Sequence, residues 1–99
     1  MARKQVRWTL KAINDKIAIY EYWNDRNKST AFSLKLEKLL NHAANLLCQY
    51  PTLGTQTNYK DVRVKIIRDY KLFYKISNGY IVILTVWDSR QNPENLNIG

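Results

Sequence analysis

The sequence predicts an α+β domain of order β-α-α-β-β-β, in which a helical hairpin packs on one face of a mainly antiparallel sheet. Three features predict it: an alternating run near the N-terminus, two stretches with helical periodicity, and three β-rich runs joined by tight turns. At 99 residues the chain is expected to form one domain, 1–99, with 89–99 as a loosely ordered tail.

A strand and a first helix are predicted between residues 5 and 23. The run 5–10 begins by alternating apolar and polar residues, as a half-buried strand does. Thr9 is placed to cap a helix that begins at Leu10 or Lys11. The apolar residues that recur at helical spacing, and are expected to face the sheet, are Leu10, Ile13, Ile17 and Tyr20, with Trp23 beside them.

A second helix is predicted to begin at Ser29 or Thr30, after the polar stretch 24–28. Pro51 ends it and Gly54 follows, a usual combination after a helix. Two amphipathic helices with a short connection form a hairpin, whose apolar faces are expected to cover the sheet. The apolar face of the second helix comprises Phe32, Leu36, Leu39, Leu40, Ala43, Leu47 and Tyr50.

The second half of the chain predicts a three-stranded meander over 62–88. Asn78-Gly79 lies between two β-rich runs, and this pair favours a two-residue type I′ turn with positive φ at both central residues. Such a turn aligns Ser77 with Tyr80, Ile76 with Ile81, Tyr74 with Ile83 and Leu72 with Thr85.

Alternation along the strands then divides the second hairpin between two faces. The face expected to lie beneath the helices carries Tyr70, Leu72, Tyr74, Ile76, Ile81, Ile83 and Trp87. The opposite face carries Lys71, Phe73, Lys75, Val82, Leu84 and Val86. The sheet is therefore expected to have one apolar face and one cationic face with an apolar floor.

The first meander strand, 62–67, can join the second in two registers. A three-residue connection pairs Ile67 with Lys71 and places Arg63 and Lys65 on the cationic face. A two-residue connection turns both cations toward the helices. Burying two unpaired cations costs several kcal/mol each, so the sequence favours the three-residue connection.

Composition limits the classes of function. The net charge of +8 indicates an anionic partner, which is nucleic acid, an acidic protein or a membrane surface, although solubility alone is the simpler interpretation. No apolar run approaches the roughly 20 residues that span a bilayer, and no signal peptide is apparent. With one Cys and one His, neither an internal disulfide nor a zinc site is expected, and no cofactor is predicted. A reducing, cytoplasmic location is expected.

The chain resembles the RelE/ParE superfamily of toxins from bacterial type II toxin–antitoxin systems. The resemblance extends from Val6 to about Pro93. It is carried by the loop between Pro51 and Gly54 and by the sequences VRVK at 62–65, YKLFY at 70–74, and IVILTVW at 81–87 running into Asp88-Ser89-Arg90.

The resemblance implies two alternative activities. One branch of the superfamily cleaves messenger RNA on the ribosome, where cations bind and activate a phosphate. Its catalytic residues correspond here to Arg63, Lys65, Lys71 and Arg90, and RNA binding is expected at Arg63, Lys65 and Lys75. No aromatic residue follows Arg90, and the proton carrier could be Tyr59 or Tyr80.

The other branch inhibits DNA gyrase by binding, and a third possibility is a degenerate member that binds only its antitoxin. Messenger RNA cleavage is the first expectation from the sequence. The resemblance also implies a cognate antitoxin, whose acidic amphipathic segment is expected to fold onto the cationic face. The apolar floor that it is expected to contact comprises Phe73, Val82, Leu84 and Val86.

Overall fold

The computed structural model describes residues 3–90 and residue 96. Its elements are β1 (Gln5–Trp8), α1 (Leu10–Asn27), α2 (Ala31–Gln49), a 3-10 turn (Pro51–Leu53), β2 (Thr55–Gln56), β3 (Arg63–Ile67), β4 (Tyr70–Ser77) and β5 (Tyr80–Asp88). The predicted order is confirmed, with the short β2 added before the meander. Most of the tail predicted over 89–99 lies outside the described residues.

All five strands form one sheet in the order β1-β5-β4-β3-β2. β1 pairs parallel to β5, and every other pair is antiparallel. The helices lie on one face of this sheet, and the main core is between the two layers. Its fully buried side chains include Leu36, Leu40 and Leu47 of α2 and Leu72, Tyr74, Ile81 and Ile83 of the sheet. Within the described residues, neither helix is long and apolar enough to cross a bilayer.

The predicted start of α1 is confirmed by its cap. The Thr9 hydroxyl accepts a hydrogen bond from the Ala12 N–H at 3.1 Å, which satisfies one of the donors left free at a helix start. The same hydroxyl donates to the Leu84 carbonyl at 2.9 Å. A single side chain therefore begins the helix and fastens it to β5.

The predicted core face of α1 is wrong at Leu10, Ile13 and Ile17, whereas Tyr20 packs against the core as predicted. Leu10 is 73% exposed and Ile17 is 47% exposed, whereas Ala12 is buried. The carboxylate of Asp15 accepts from the Thr85 hydroxyl at 2.5 Å and from the Val86 N–H at 3.2 Å. Residue 17 lies about 200° round the helix from residue 15, so this polar contact with β5 turns the apolar stripe outward.

The β4–β5 hairpin is confirmed near its turn. Ser77 pairs with Tyr80, Ile76 with Ile81 and Tyr74 with Ile83, as predicted. The type I′ geometry is wrong, because Gly79 has a φ of 74° while Asn78 is not among the residues with positive φ.

Beyond Ile83 the predicted pairing fails at a β-bulge. Leu72 pairs with Val86 and not with Thr85. The extra residue on β5 exchanges the faces of the last positions, so Val86 joins the core beneath the helices and Trp87 lies on the opposite face. Nothing in an alternation pattern marks a single inserted residue, which is why the sequence placed both of them on the wrong face.

The predicted register between β3 and β4 is also wrong. Ile67 pairs with Tyr70 across the two-residue connection Arg68-Asp69, and Arg68 has a φ of 54°. Arg63 therefore pairs with Tyr74 and Lys65 with Leu72, on the side that faces the helices. The predicted free-energy cost of burying two cations does not apply to this register, because β3 lies near the sheet edge, where both cations are only partly buried.

Candidate functional site

The sheet face opposite the helices, called the open face below, has an apolar floor. Phe73 is 6% exposed and Trp87 is 8% exposed, and both pack with Val62. Val64, Leu84 and Leu96 pack against this cluster and are partly buried. The floor lies outside the main core, so the sheet buries apolar side chains on both of its faces.

Only two of the predicted cations lie on the open face. Lys71 pairs with Trp87 and Lys75 pairs with Val82, which gives both lysines the orientation of the open face. Arg63 and Lys65 point to the helix-facing side. The structure therefore does not bring the predicted set of Arg63, Lys65, Lys71 and Arg90 together.

Arg63 is held by the loop that follows α2. Its guanidinium donates to the Gly54 carbonyl at 2.7 Å and to the Thr52 carbonyl at 3.3 Å. The Tyr74 hydroxyl completes this cluster by accepting from the Gly54 N–H at 2.9 Å and donating to the Pro51 carbonyl at 2.7 Å. Through these hydrogen bonds Arg63 positions the loop that follows α2 at the edge of the sheet.

Arg90 is engaged by a carboxylate. Its guanidinium donates to both oxygens of Asp88, at 3.0 and 2.7 Å, and lies 5.4 Å from the centre of the Trp23 ring. Trp23 in turn donates its indole N–H to the Tyr70 hydroxyl at 2.7 Å. The hydrogen bonds from Arg90 hold the pKa of Asp88 below its ordinary value, so the pair stays ionised at neutral pH. A phosphate that binds Arg90 must compete with Asp88.

The structure adds a cation that the sequence analysis missed. Arg7 of β1 pairs with Val82 of β5, which also pairs with Lys75 of β4. Arg7 and Lys75 thus lie in one row across three strands on the open face. The Arg7 guanidinium stacks 4.2 Å from the centre of the Tyr80 ring. The alternation of Val6 and Trp8 could have indicated which face Arg7 takes, but only the parallel pairing of β1 with β5 places it beside Lys75.

A polar groove adjoins this row. It has a volume of about 720 Å³ and lies between the loop 56–61 and the end of the β4–β5 hairpin. Its cations are Lys60, Lys75 and Arg63, and it is also lined by Tyr59, whose side chain is exposed, and by the acidic Asp61. Tyr80, the second predicted proton carrier, is stacked under Arg7.

The predicted antitoxin-contacting residues are divided by the bulge. Phe73, Val82 and Leu84 lie on the open face. Val86 is 3% exposed and packs in the main core, so the prediction that it forms part of the open-face floor is wrong. Within the part of the chain that the structure describes, no cluster of potential metal ligands occurs.

Comparison with known proteins identifies the family. Residues 6–93 match the family described as ParE toxin of type II toxin-antitoxin system, parDE. A Sinorhizobium fredii protein named "Putative toxin Y4kP" is 30% identical over 95 residues, which cover 92% of this chain and 94% of that protein.

Two solved structures share the fold. One, described as the chromosomal ParDE TA system from P. aeruginosa, has a TM-score of 0.76 at 20% identity and covers 87% of this chain and 96% of that one. The other, the toxin-antitoxin complex RelBE2 from Mycobacterium tuberculosis, has a TM-score of 0.64 at 20% identity and covers 88% and 99%.

The fold is that of a toxin from a type II toxin–antitoxin system. The family match over 6–93 and the relative at 30% identity place the protein more closely: the chain belongs to the ParE toxin family.

Proposed function

We propose that this chain inhibits DNA gyrase by binding to it, and that it does not cleave messenger RNA. The observation that carries the proposal is the separation of the predicted phosphate-binding cations. Arg63 and Lys65 point to one side of the sheet, Lys71 to the other, and Arg90 is paired with Asp88. Phosphate activation needs several cations converging on one oxygen cluster, which this arrangement does not provide.

Family membership supports the same proposal. The chain belongs to the ParE family, and the gyrase-inhibiting branch needs no catalytic set. A toxin that acts by binding requires surface complementarity and no proton carrier. The absence of an aromatic residue after Arg90 is therefore compatible with this mechanism.

An antitoxin is the proposed natural partner. The open face offers the exposed parts of Val82 and Leu84 beside Lys71 and Lys75, an apolar floor with cations at its rim. Such a surface fits an acidic amphipathic segment that buries its apolar side chains and pairs its carboxylates with the lysines. Binding there holds the toxin inactive.

The proposal predicts gyrase-dependent DNA breaks. Purified toxin is incubated with gyrase, ATP and supercoiled plasmid, and the products are resolved after denaturation of the protein. We expect linear plasmid that requires both toxin and gyrase, and its loss when antitoxin is added first. In parallel, primer extension on translated messages is expected to show no new cuts. Cuts in the ribosomal A site without DNA breaks would overturn the proposal and favour RNA cleavage.

Lys65→Ala separates the two mechanisms in cells. Lys65 lies on the helix-facing side and is half-exposed, so we expect its removal to change stability by about 0.5 kcal/mol or less. Growth arrest is expected to persist within about threefold in colony count, an interval set by the small effects of surface substitutions. Lys38→Ala, at an exposed position of α2, is the matched control. Loss of toxicity in a folded Lys65→Ala protein, with Lys38→Ala toxic, contradicts the proposal and supports a catalytic Lys65.

A further inference from the structure

We propose that the open face binds a nucleic-acid phosphate backbone through the row formed by Arg7 and Lys75. The inference builds on the proposed function, since gyrase works on DNA and a toxin bound to it meets that DNA. Inhibition of gyrase by itself does not require a contact between this row and DNA.

The geometry of the row comes from strand pairing. Val82 of β5 lies between Arg7 of β1 and Lys75 of β4, and all three share the open face. Neighbouring strands are about 4.8 Å apart, so the Cα atoms of Arg7 and Lys75 are roughly 10 Å apart across the sheet. Two long cationic side chains at this separation can reach phosphates of one backbone.

Stacking prepares Arg7 for this contact. Its guanidinium carbon lies over the Tyr80 ring, 4.2 Å from the ring centre. A guanidinium stacked on an aromatic face can still donate hydrogen bonds from its edge to a phosphate. Arg7 is exposed in the structure. Among the residues that the structure describes, no carboxylate forms an ion pair with Arg7 or Lys75.

The adjoining groove extends the cationic surface. Lys60 lines it beside Lys75, with one carboxylate, Asp61, among its lining residues. The exposed Tyr59 ring offers a stacking surface at the same place. Basic side chains interleaved with aromatic rings are the pattern by which proteins hold a nucleic-acid strand without reading its sequence.

The charge distribution favours a polyanion over an apolar partner at this position. The chain carries a net charge of +8. On the helix-facing side, the carboxylate of Asp15 in α1 accepts a hydrogen bond from a backbone N–H of β5, and the carboxylate of Asp88 accepts from Arg90. The open face carries Arg7, Lys71 and Lys75 over its apolar floor, with Asp61 in the adjoining groove. An antitoxin segment on that floor covers the same cations, so it excludes nucleic acid.

The test measures binding of the purified chain to a fluorescently labelled DNA duplex by anisotropy, without gyrase, over a series of salt concentrations. Arg7→Gln/Lys75→Gln is compared with Lys35→Gln/Lys38→Gln, which removes the same charge from exposed positions of α2. We expect the open-face pair to weaken binding at least about tenfold and to lower the salt slope by about 1.8, since each phosphate contact contributes about 0.9. The α2 pair is expected to change affinity less than about threefold, as screened long-range charge does.

Equal losses from both double variants overturn the proposal, because the binding then reflects net charge alone. A wild-type chain that binds an acidic antitoxin peptide but no nucleic acid also overturns the proposal. Labelled single-stranded RNA of equal length distinguishes the two possible sources of the phosphate backbone. Preference for duplex DNA assigns the backbone to the substrate of gyrase, and preference for RNA assigns it to a message. Either preference supports a phosphate-binding face. Unfolding curves confirm that the variants are folded. Because gyrase is absent, the gyrase proposal and this one can fail separately.

Discussion

Leu36→Asp is expected to abolish folding of the domain. Leu36 is 1% exposed and packs in the main core between α2 and the sheet. Replacing it removes the burial of a large side chain, worth about 2 to 5 kcal/mol, and places a carboxylate in an apolar core, at a further cost of several kcal/mol. The sum is comparable with the whole stability of a domain of this size, about 5 to 15 kcal/mol.

Leu34→Asp is the matched control for that experiment. It makes the same chemical change two residues earlier on the same helix, where Leu34 is 57% exposed. Far-UV circular dichroism with urea titration is expected to show a cooperative transition near that of the wild type for Leu34→Asp and none for Leu36→Asp. A folded Leu36→Asp protein with an unchanged midpoint would mean that α2 does not lie on the sheet as described.

Gly54→Val is expected to destabilise the domain by about 1 to 3 kcal/mol, the usual range for forced overpacking of a core. A Cβ atom at residue 54 would lie 2.5 Å from the Tyr74 hydroxyl oxygen and 2.8 Å from the Val64 carbonyl oxygen. Neither can move away easily, because Tyr74 is fully buried and Val64 contributes backbone of β3. Gly54 has an ordinary extended conformation, so the cost arises from contact and not from backbone strain.

Gly79→Asn is the comparison for Gly54→Val. A Cβ atom at Gly79 meets no atom within 4 Å, and asparagine tolerates the positive φ of 74° better than other residues with a side chain. We expect a loss below about 1 kcal/mol, measured by the same urea titration. If Gly79→Asn proves the more damaging substitution, the close approach between the loop 51–54 and Tyr74 is not the reason for glycine at residue 54.

The sequence predicted local features where a local rule decides them. The Thr9 cap, the apolar face of α2 up to Leu47 and the register beside Asn78-Gly79 are confirmed, because each depends on residues within a few positions of one another. Tyr50, the last residue of that predicted face, is exposed beyond the end of the helix. The core positions Leu10, Ile13 and Ile17 of α1 were predicted wrongly, since that face is chosen by the contact of Asp15 with residues 85 and 86, about seventy positions away. An amphipathic pattern says which residues are apolar and not which face the fold will cover.

The candidate site shows the same division. Lysines at 71 and 75 take the predicted face because alternation along β4 is regular. The separation of Arg63 from Lys71 depended on a connection one residue shorter than predicted, and a shift by one residue reverses the face of every side chain on a strand. The helix-facing side is not buried throughout: at the sheet edge, the carbonyls of Thr52 and Gly54 accept hydrogen bonds from Arg63, which removes the expected cost of burying its charge.

By itself, the sequence determined the fold class, the order of the elements and an excess of positive charge, because periodicity, turn residues and composition are properties of neighbouring positions. The tertiary structure alone decided which cations share a surface. A bulge after Ile83, a two-residue connection at 68–69 and the parallel docking of β1 each change faces or neighbours without a local signal. The bulge moves Val86 off the open face, the connection separates Arg63 from Lys71, and the docking brings Arg7 beside Lys75.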